Sequence, residues 1–174
     1  MLADPDPLMR LTNIEAIVKS GDTLKLQVAL RIALTGEDKE LRGLALRAYL
    51  ASRKEITFEV TLPSNVQAQL DASRSDPIAE RAFRVKYPYV AYVAQYASRF
   101  QLSFPDYAFA QDRGTAHSGP TVGEFAITGD RLAIKLQLNN WGECYVDFSP
   151  KGQSFAGTLA CGNWPQLAIT APSL

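Results

Sequence analysis

The stretch from Asn140 to Pro165 reads NWGECYVDFSPKGQSFAGTLACGNWP, and its two ends nearly mirror each other: N-W-G-x-C entering and C-G-N-W leaving. Few other features restrict the fold as tightly. A loop at Lys151-Gly152-Gln153-Ser154 folds the stretch into an antiparallel pair. Pro150 then faces Phe155, Phe148 faces Gly157, Val146 faces Leu159, Cys144 faces Cys161 and Trp141 faces Trp164. Residues directly opposite in a non-hydrogen-bonded position have Cα atoms about 4.5 Å apart, close enough for a disulfide. The register therefore predicts a Cys144–Cys161 bridge. The alternative is a pair of reduced cysteines that fill a core.

Strand alternation puts Cys144, Val146, Phe148, Phe155, Leu159 and Cys161 on one face, which is the core face. Trp141 and Trp164 each lie three residues from a cysteine, so a regular ladder points both rings outward with Tyr145 and Asp147. Bulges at Gly142 and Gly162 would turn the rings inward instead. The first arrangement makes a stacking platform for a sugar or a protein; the second caps the end of a barrel or sandwich.

The same procedure registers Val122 to Leu138. With Gly129-Asp130 as a two-residue turn, Ile127 meets Leu132 and Phe125 meets Ile134, while Glu124 meets Lys135 on the other face. Glu55 to Leu62 (EITFEVTL) alternates β-branched and aromatic residues and reads as a strand ended by Pro63. FQLSF and DYAFA, separated by Pro105, read as further short strands, and RGTAHSGPTVG reads as a Gly/Thr/Ser-rich loop.

The first 53 residues read as three helices. Asp6-Pro7 is an N-cap with a first-turn proline, and Leu8, Leu11, Ile14, Ile17 and Val18 recur at helical spacing until Ser20-Gly21. Asp22 caps the second run, with Leu26, Val28, Leu30, Ala33 and Leu34 as its apolar face and Thr35-Gly36 at its end. Asp38 starts the third, with Leu41, Leu44, Ala45, Ala48 and Tyr49 on one side. Ser20-Gly21-Asp22 recurs as Thr35-Gly36-Glu37-Asp38, and Ala29-Leu30-Arg31 as Ala45-Leu46-Arg47. Over residues 6–53, and above all in EDKELRGLALRAYLAS, the pattern resembles short HEAT-like helical repeats, in which a turn acid precedes an arginine and an alanine-rich helix. Stacked helices of that kind present a surface to another protein, so the resemblance implies an interaction role. It does not extend into the β region. Residues 64–99 read as helical with a break near Pro88, and Tyr89, Tyr92, Val93, Tyr96 and Phe100 fall on one helical face. That tyrosine stripe is either a ligand surface or rings packed on the sheet with their hydroxyls at its edge.

Formal net charge is zero and the charges alternate in sign instead of forming basic runs, which removes the electrostatic basis of general nucleic-acid binding. No apolar run approaches the ~18 residues of a membrane-spanning helix. Met1-Leu2-Ala3 leads into Asp4-Pro5-Asp6-Pro7 without the basic and apolar regions of a signal peptide. Two cysteines in register nevertheless point to an oxidising compartment, a bacterial periplasm or the exterior.

Signs of chemistry are sparse. One histidine, His117, lies in GTAHSGP, without the clustered Cys, His or acidic partners of a zinc site. The nucleophile-elbow, P-loop and dinucleotide glycine patterns are missing. Asp106, Asp112, Glu124, Glu143 and Asp147 supply carboxylates in the β half, but at no diagnostic spacing for glycoside hydrolysis.

These observations together predict an α+β protein. A three-helix HEAT-like unit (1–54) and further helices pack on an antiparallel meander of five or six strands at 100–171, curled as a half-barrel or sandwich, within one composite domain (55–174 being the α+β part). The expected function is that of a non-enzymatic exported bacterial protein, an adaptor, assembly factor or inhibitor whose partner is another envelope protein, with no cofactor and no metal. A second expectation is a glycan or small-ligand module using Trp141, Trp164, Tyr145, Tyr89, Tyr92 and Tyr96. A hydrolase built on His117 or the β-half acids is the third.

Overall fold

The computed structural model describes residues 4–93, 99–109, 111–138 and 142–172. Three helices open the chain: α1 (Pro7–Ser20), α2 (Thr23–Thr35) and α3 (Lys39–Arg53). Each begins where its capping carboxylate is expected. The Asp6 side chain accepts from the Leu8 amide, Asp22 from Lys25, and Asp38 from Glu40 and Leu41, satisfying donors that the first helical turn leaves open. Strand β1 (Glu55–Thr61) follows α3 after Lys54, and three more helices intervene: α4 (Ser64–Ser73), α5 (Pro77–Lys86) and α6 (Pro88–Tyr92). Seven strands complete the chain: β2 (Arg99–Ser103), β3 (Arg113–Ser118), β4 (Thr121–Thr128), β5 (Arg131–Leu138), β6 (Gly142–Lys151), β7 (Ser154–Cys161) and β8 (Leu167–Pro172).

The eight strands pair in sequence order and β8 returns to β1, so the sheet is a closed antiparallel barrel. This overturns the half-barrel or sandwich carrying a HEAT-like unit on one face. Where five or six strands were expected at 100–171 the structure has seven, β2–β8, and β1 joins them to close the ring. β1 pairs with β2 across the whole α4–α6 insertion, and β3 occupies the glycine-rich segment expected to be loop. Within β3 Ala116 is the fully buried position, and small or polar residues surround it, so no apolar alternation announces the strand. DYAFA is not a strand: residues 105–109 form turns between β2 and β3. An even number of strands allows an antiparallel meander to close without a parallel pair, and closure removes both free edges.

The expected pairs up to Cys144–Cys161 stand in both registered hairpins, whereas β7 ends before Trp164, which was expected opposite Trp141. Ile127 pairs with Leu132, Phe125 with Ile134 and Glu124 with Lys135. Cys144 pairs with Cys161, Val146 with Leu159, Phe148 with Gly157 and Pro150 with Phe155. Lys151 also pairs with Ser154, so the turn is Gly152-Gln153 alone and not a four-residue loop.

Every strand has one buried face, and that face is the barrel interior. Phe58, Phe148 and Phe155 fill it, with Phe58–Phe148 and Phe148–Phe155 ring centroids 4.7 and 5.7 Å apart. Eight strands leave room for side chains and little more. The outward positions include Glu59, Arg99, Glu124 and Lys135, all exposed, a charged wall and not the apolar band of a lipid-facing barrel. Among the described residues no helix is long and apolar enough to cross a membrane.

The helices close the two ends of the barrel instead of covering a face of the sheet. α1–α3 lie at the end that carries the β4–β5 and β6–β7 turns. There Leu46 and Leu50 are fully buried, Tyr49 meets Phe155 edge-on at 5.0 Å, and Arg42 bonds Asp130 at 2.8 Å. Gly43 permits the approach: a Cβ on it would stand 2.9 Å from the Gly129 carbonyl carbon. α4–α6 lie at the opposite end, with Val66, Leu70, Tyr89, Val90 and Val93 joining the same continuous core. The expected helical span of 64–99 breaks at Arg74–Asp76 as well as at Pro88, and Phe100 belongs to β2.

Candidate functional site: an apolar groove between the first two helices

A strongly apolar concavity lies on the outer side of the first helical cap. α2 carries two apolar faces. Ala29, Leu30, Ala33 and Leu34 are buried, whereas Leu24, Val28 and Ile32 are 69, 53 and 54% exposed. Periodicity groups Val28 with the buried set, because Lys25, Gln27 and Arg31 are interspersed with apolar residues on the solvent side and leave no clean polar face to mark it. The i, i+4, i+8 spacing of Leu24, Val28 and Ile32 forms a ridge ~12 Å long. Asn13, Ala16, Ile17 and Ser20 of α1 form the facing wall of a groove of about 1060 Å³.

The base of the groove is held to the barrel. Arg10 of α1 reaches Asp38 and Glu40 at the start of α3, at 3.4 and 3.3 Å. α3 in turn ties itself to the strands by Arg42–Asp130 and by Arg47, which lies 2.5 Å from Asp112. Lys25 is the charged side chain in the groove lining, and further charges flank it. Glu15 pairs with Lys19 at 2.7 Å and Asp22 with Lys25 at 3.0 Å, and Arg31 adds a further exposed cation on α2.

The residues singled out by sequence fall in different places. Trp164 and Tyr89 do meet, with ring centroids 5.8 Å apart at the far end of the barrel. β7 ends at Cys161; Gly162 then adopts φ +52°, its N–H donates to the Glu143 carbonyl at 3.1 Å, and Trp164 is carried out of the ladder toward α6. The ring is partly buried against the core. Tyr89 is buried, and that burial raises its pKa, with Tyr87 adding to the effect. Trp141 and Tyr96 lie outside the described residues, as does the side chain of Tyr92.

Tyr145 is elsewhere, on the outer wall of the barrel and half exposed. Its hydroxyl donates to Glu143, which also meets Lys135 at 2.5 Å. That hydrogen bond raises the Tyr145 pKa, and the Lys135 ammonium lowers that of Glu143. Cys144 and Cys161 are joined in a disulfide, with Cα atoms 4.1 Å apart.

The residues considered for hydrolysis are scattered. His117 pairs with Ser103 and Val122 in the sheet. Asp112 is engaged by Arg47, and Asp147 by Arg131 at 2.6 Å. The lowered pKa of Glu143 is the reverse of what a general acid needs. Among the described residues no group of three or more His, Cys, Asp or Glu side chains converges on a metal position. No family model, curated protein or solved structure matches this chain.

Proposed function

We propose that this chain is a non-enzymatic bacterial protein of the cell envelope or exterior, which docks an amphipathic helix of another protein in the α1–α2 groove. The observation that carries the reading is the exposure of Leu24, Val28 and Ile32 on one ridge beside a groove of about 1060 Å³. Soluble surfaces scatter single apolar residues, whereas a contiguous patch marks an interaction face. A ridge at helical spacing next to a second helix offers the grooves into which a third helix packs. Lys25 lines the groove and Arg31 is exposed on the same helix, which favours a partner whose apolar stripe is flanked by carboxylates. The disulfide supports the oxidising compartment.

The test uses a synthetic helical peptide with leucines at i, i+3, i+4 and i+7 flanked by glutamates, its lysine-flanked twin, and a strand-forming peptide of equal hydrophobicity. Fluorescence anisotropy is expected to show saturable binding of the glutamate-flanked helix, at least tenfold weaker binding of the other two, and a further tenfold loss with Val28→Asp. Val28 is exposed, so that substitution should leave the melting temperature unchanged. Equal affinity for all three peptides, or binding indifferent to Val28→Asp, would overturn the proposal. Self-association abolished by Val28→Asp would assign the groove to a second copy and likewise overturn it.

A further inference from the structure

The opposite end of the barrel holds a second concavity of different chemistry. It lies between the α4 N-terminus, the α5–α6 junction and the β7–β8 turn, with a volume of about 830 Å³. Two partly exposed aromatic side chains, Tyr87 and Trp164, form one wall, with buried Tyr89 packed between them. Tyr87 stands at 6.1 Å from Tyr89 in an edge-on arrangement, and Tyr89 at 5.8 Å from Trp164. Phe83 backs Tyr87 at 4.8 Å, so the wall is supported from behind. The polar side is built from amides: Asn65 and Gln69, one helical turn apart on α4, and Asn163 on the β7–β8 turn, all three exposed. Among the described lining residues Lys86 carries the one charge, and its ammonium lies 5.2 Å from the Tyr87 ring centroid.

We infer that this cleft binds a short oligosaccharide carrying a carboxylate. A pyranose ring presents a flat C–H face and a rim of hydroxyls, and the two halves of the cleft match those demands. Aromatic rings supply polarisable surface for the C–H face. Primary amides both donate and accept, as hydroxyls do, so Asn65, Gln69 and Asn163 can satisfy a sugar hydroxyl in either sense. An apolar peptide side chain would leave those amides unmatched, which argues against the kind of partner suited to the α1–α2 groove. Lys86 has no carboxylate beside it in the lining, so a uronate or other acidic sugar is favoured over a neutral one. The lining has no acid pair at glycosidase spacing, and the site is one of recognition.

The probes are tetragalacturonate, cellotetraose and chitotetraose, titrated into the full chain with isothermal calorimetry and tryptophan fluorescence as parallel readouts. Tetragalacturonate is expected to bind saturably, at least fivefold more tightly than either neutral tetrasaccharide. Gln69→Ala and Asn163→Ala, both at exposed positions and therefore expected to leave the melting temperature unchanged, should each weaken it at least threefold. Lys86→Gln should reduce the acid preference to near unity while leaving neutral-sugar affinity in place. Absence of saturable binding by all three probes, equal binding of acidic and neutral sugars by the unsubstituted chain, or binding indifferent to Gln69→Ala and Asn163→Ala would each overturn the inference. The groove peptide is unaffected by these substitutions if the two sites are separate, so each proposal can fail without the other.

Discussion

The two helical caps of the barrel do the same topological job by different means. α3 inserts Leu46, Tyr49 and Leu50 over the barrel mouth and secures itself with Arg42 and Arg47 to the strand turns. At the other end α5 has no fully buried residue and touches the core through half-buried Phe83, while α4 and α6 bury Val66, Leu70, Tyr89 and Val90. The disulfide lies at this second end, near Trp164. A cap that is clamped by its innermost helix can leave its outer helices to present an apolar ridge. A cap built from short helices over an aromatic cluster leaves a mixed cleft at its seam. Binding surfaces of different chemistry thus follow from how each end is sealed.

The contrast can be broken most severely at Phe155, which touches both Phe148 inside the barrel and Tyr49 of α3. Phe155→Ala should destabilise the protein by about 3–5 kcal/mol in urea unfolding, with helix and sheet signals lost together. Separate transitions for the two would show that the α3 cap and the barrel are independent units.

At the other end, Cys144→Ala with Cys161→Ala should cost up to about 3 kcal/mol, less than full loop-closure entropy because β6 and β7 are already paired. Circular dichroism melting with and without reductant measures it. A loss as large as that of Phe155→Ala would make the second end the more critical closure.

Tyr107 offers a pH test of the first end. Burial pushes its pKa up to about 12, with Asp112 adding and Arg47 opposing. The unfolded phenol titrates near 10.0, so the stabilisation is complete below pH 10 and is lost as pH rises through the folded value of about 12. The difference amounts to about 2–3 kcal/mol across that window. Tyr107→Phe should remove this alkaline loss, as read from urea midpoints at pH 9 and pH 12 relative to the parent chain. An unchanged slope would place the alkaline sensitivity elsewhere.

The smallest effect expected separates the helix-to-barrel ion pair from one on the wall. Arg42 and Asp130 are each about four-fifths buried, whereas Arg131, which pairs with Asp147, is largely exposed. Arg42→Ala should cost about 1–2 kcal/mol and Arg131→Ala under about 0.5 kcal/mol by urea midpoint. Equal costs would mean that the clamp contributes little beyond surface charge.

Much of the fold was legible where one local rule governs. Asp6, Asp22 and Asp38 mark helix starts because a carboxylate at the N-cap satisfies open amides whatever lies around it. The Val122–Leu138 and Gly142–Cys161 hairpins could be registered because a tight turn fixes which residues face each other, and a one-residue slip would bury charge. β3 was missed because its inward positions are small. Closure was missed because β1 and β2 are brought together over an insertion of three helices, a pairing to which no local signal points.

Of the site residues, the sequence alone determined that Cys144 lies opposite Cys161, since register brings them together without reference to the rest of the chain, and the structure joins them in a disulfide. The sequence also singled out Trp164 and Tyr89 as aromatic candidates. Only the tertiary structure decided that these two meet, that Tyr145 stands apart on the outer wall, and that Leu24, Val28 and Ile32 remain uncovered. The physical reason is common to all three. Periodicity says which residues share a face of an element, but exposure depends on which faces the other elements reach, and that is settled when the barrel closes and its ends are filled.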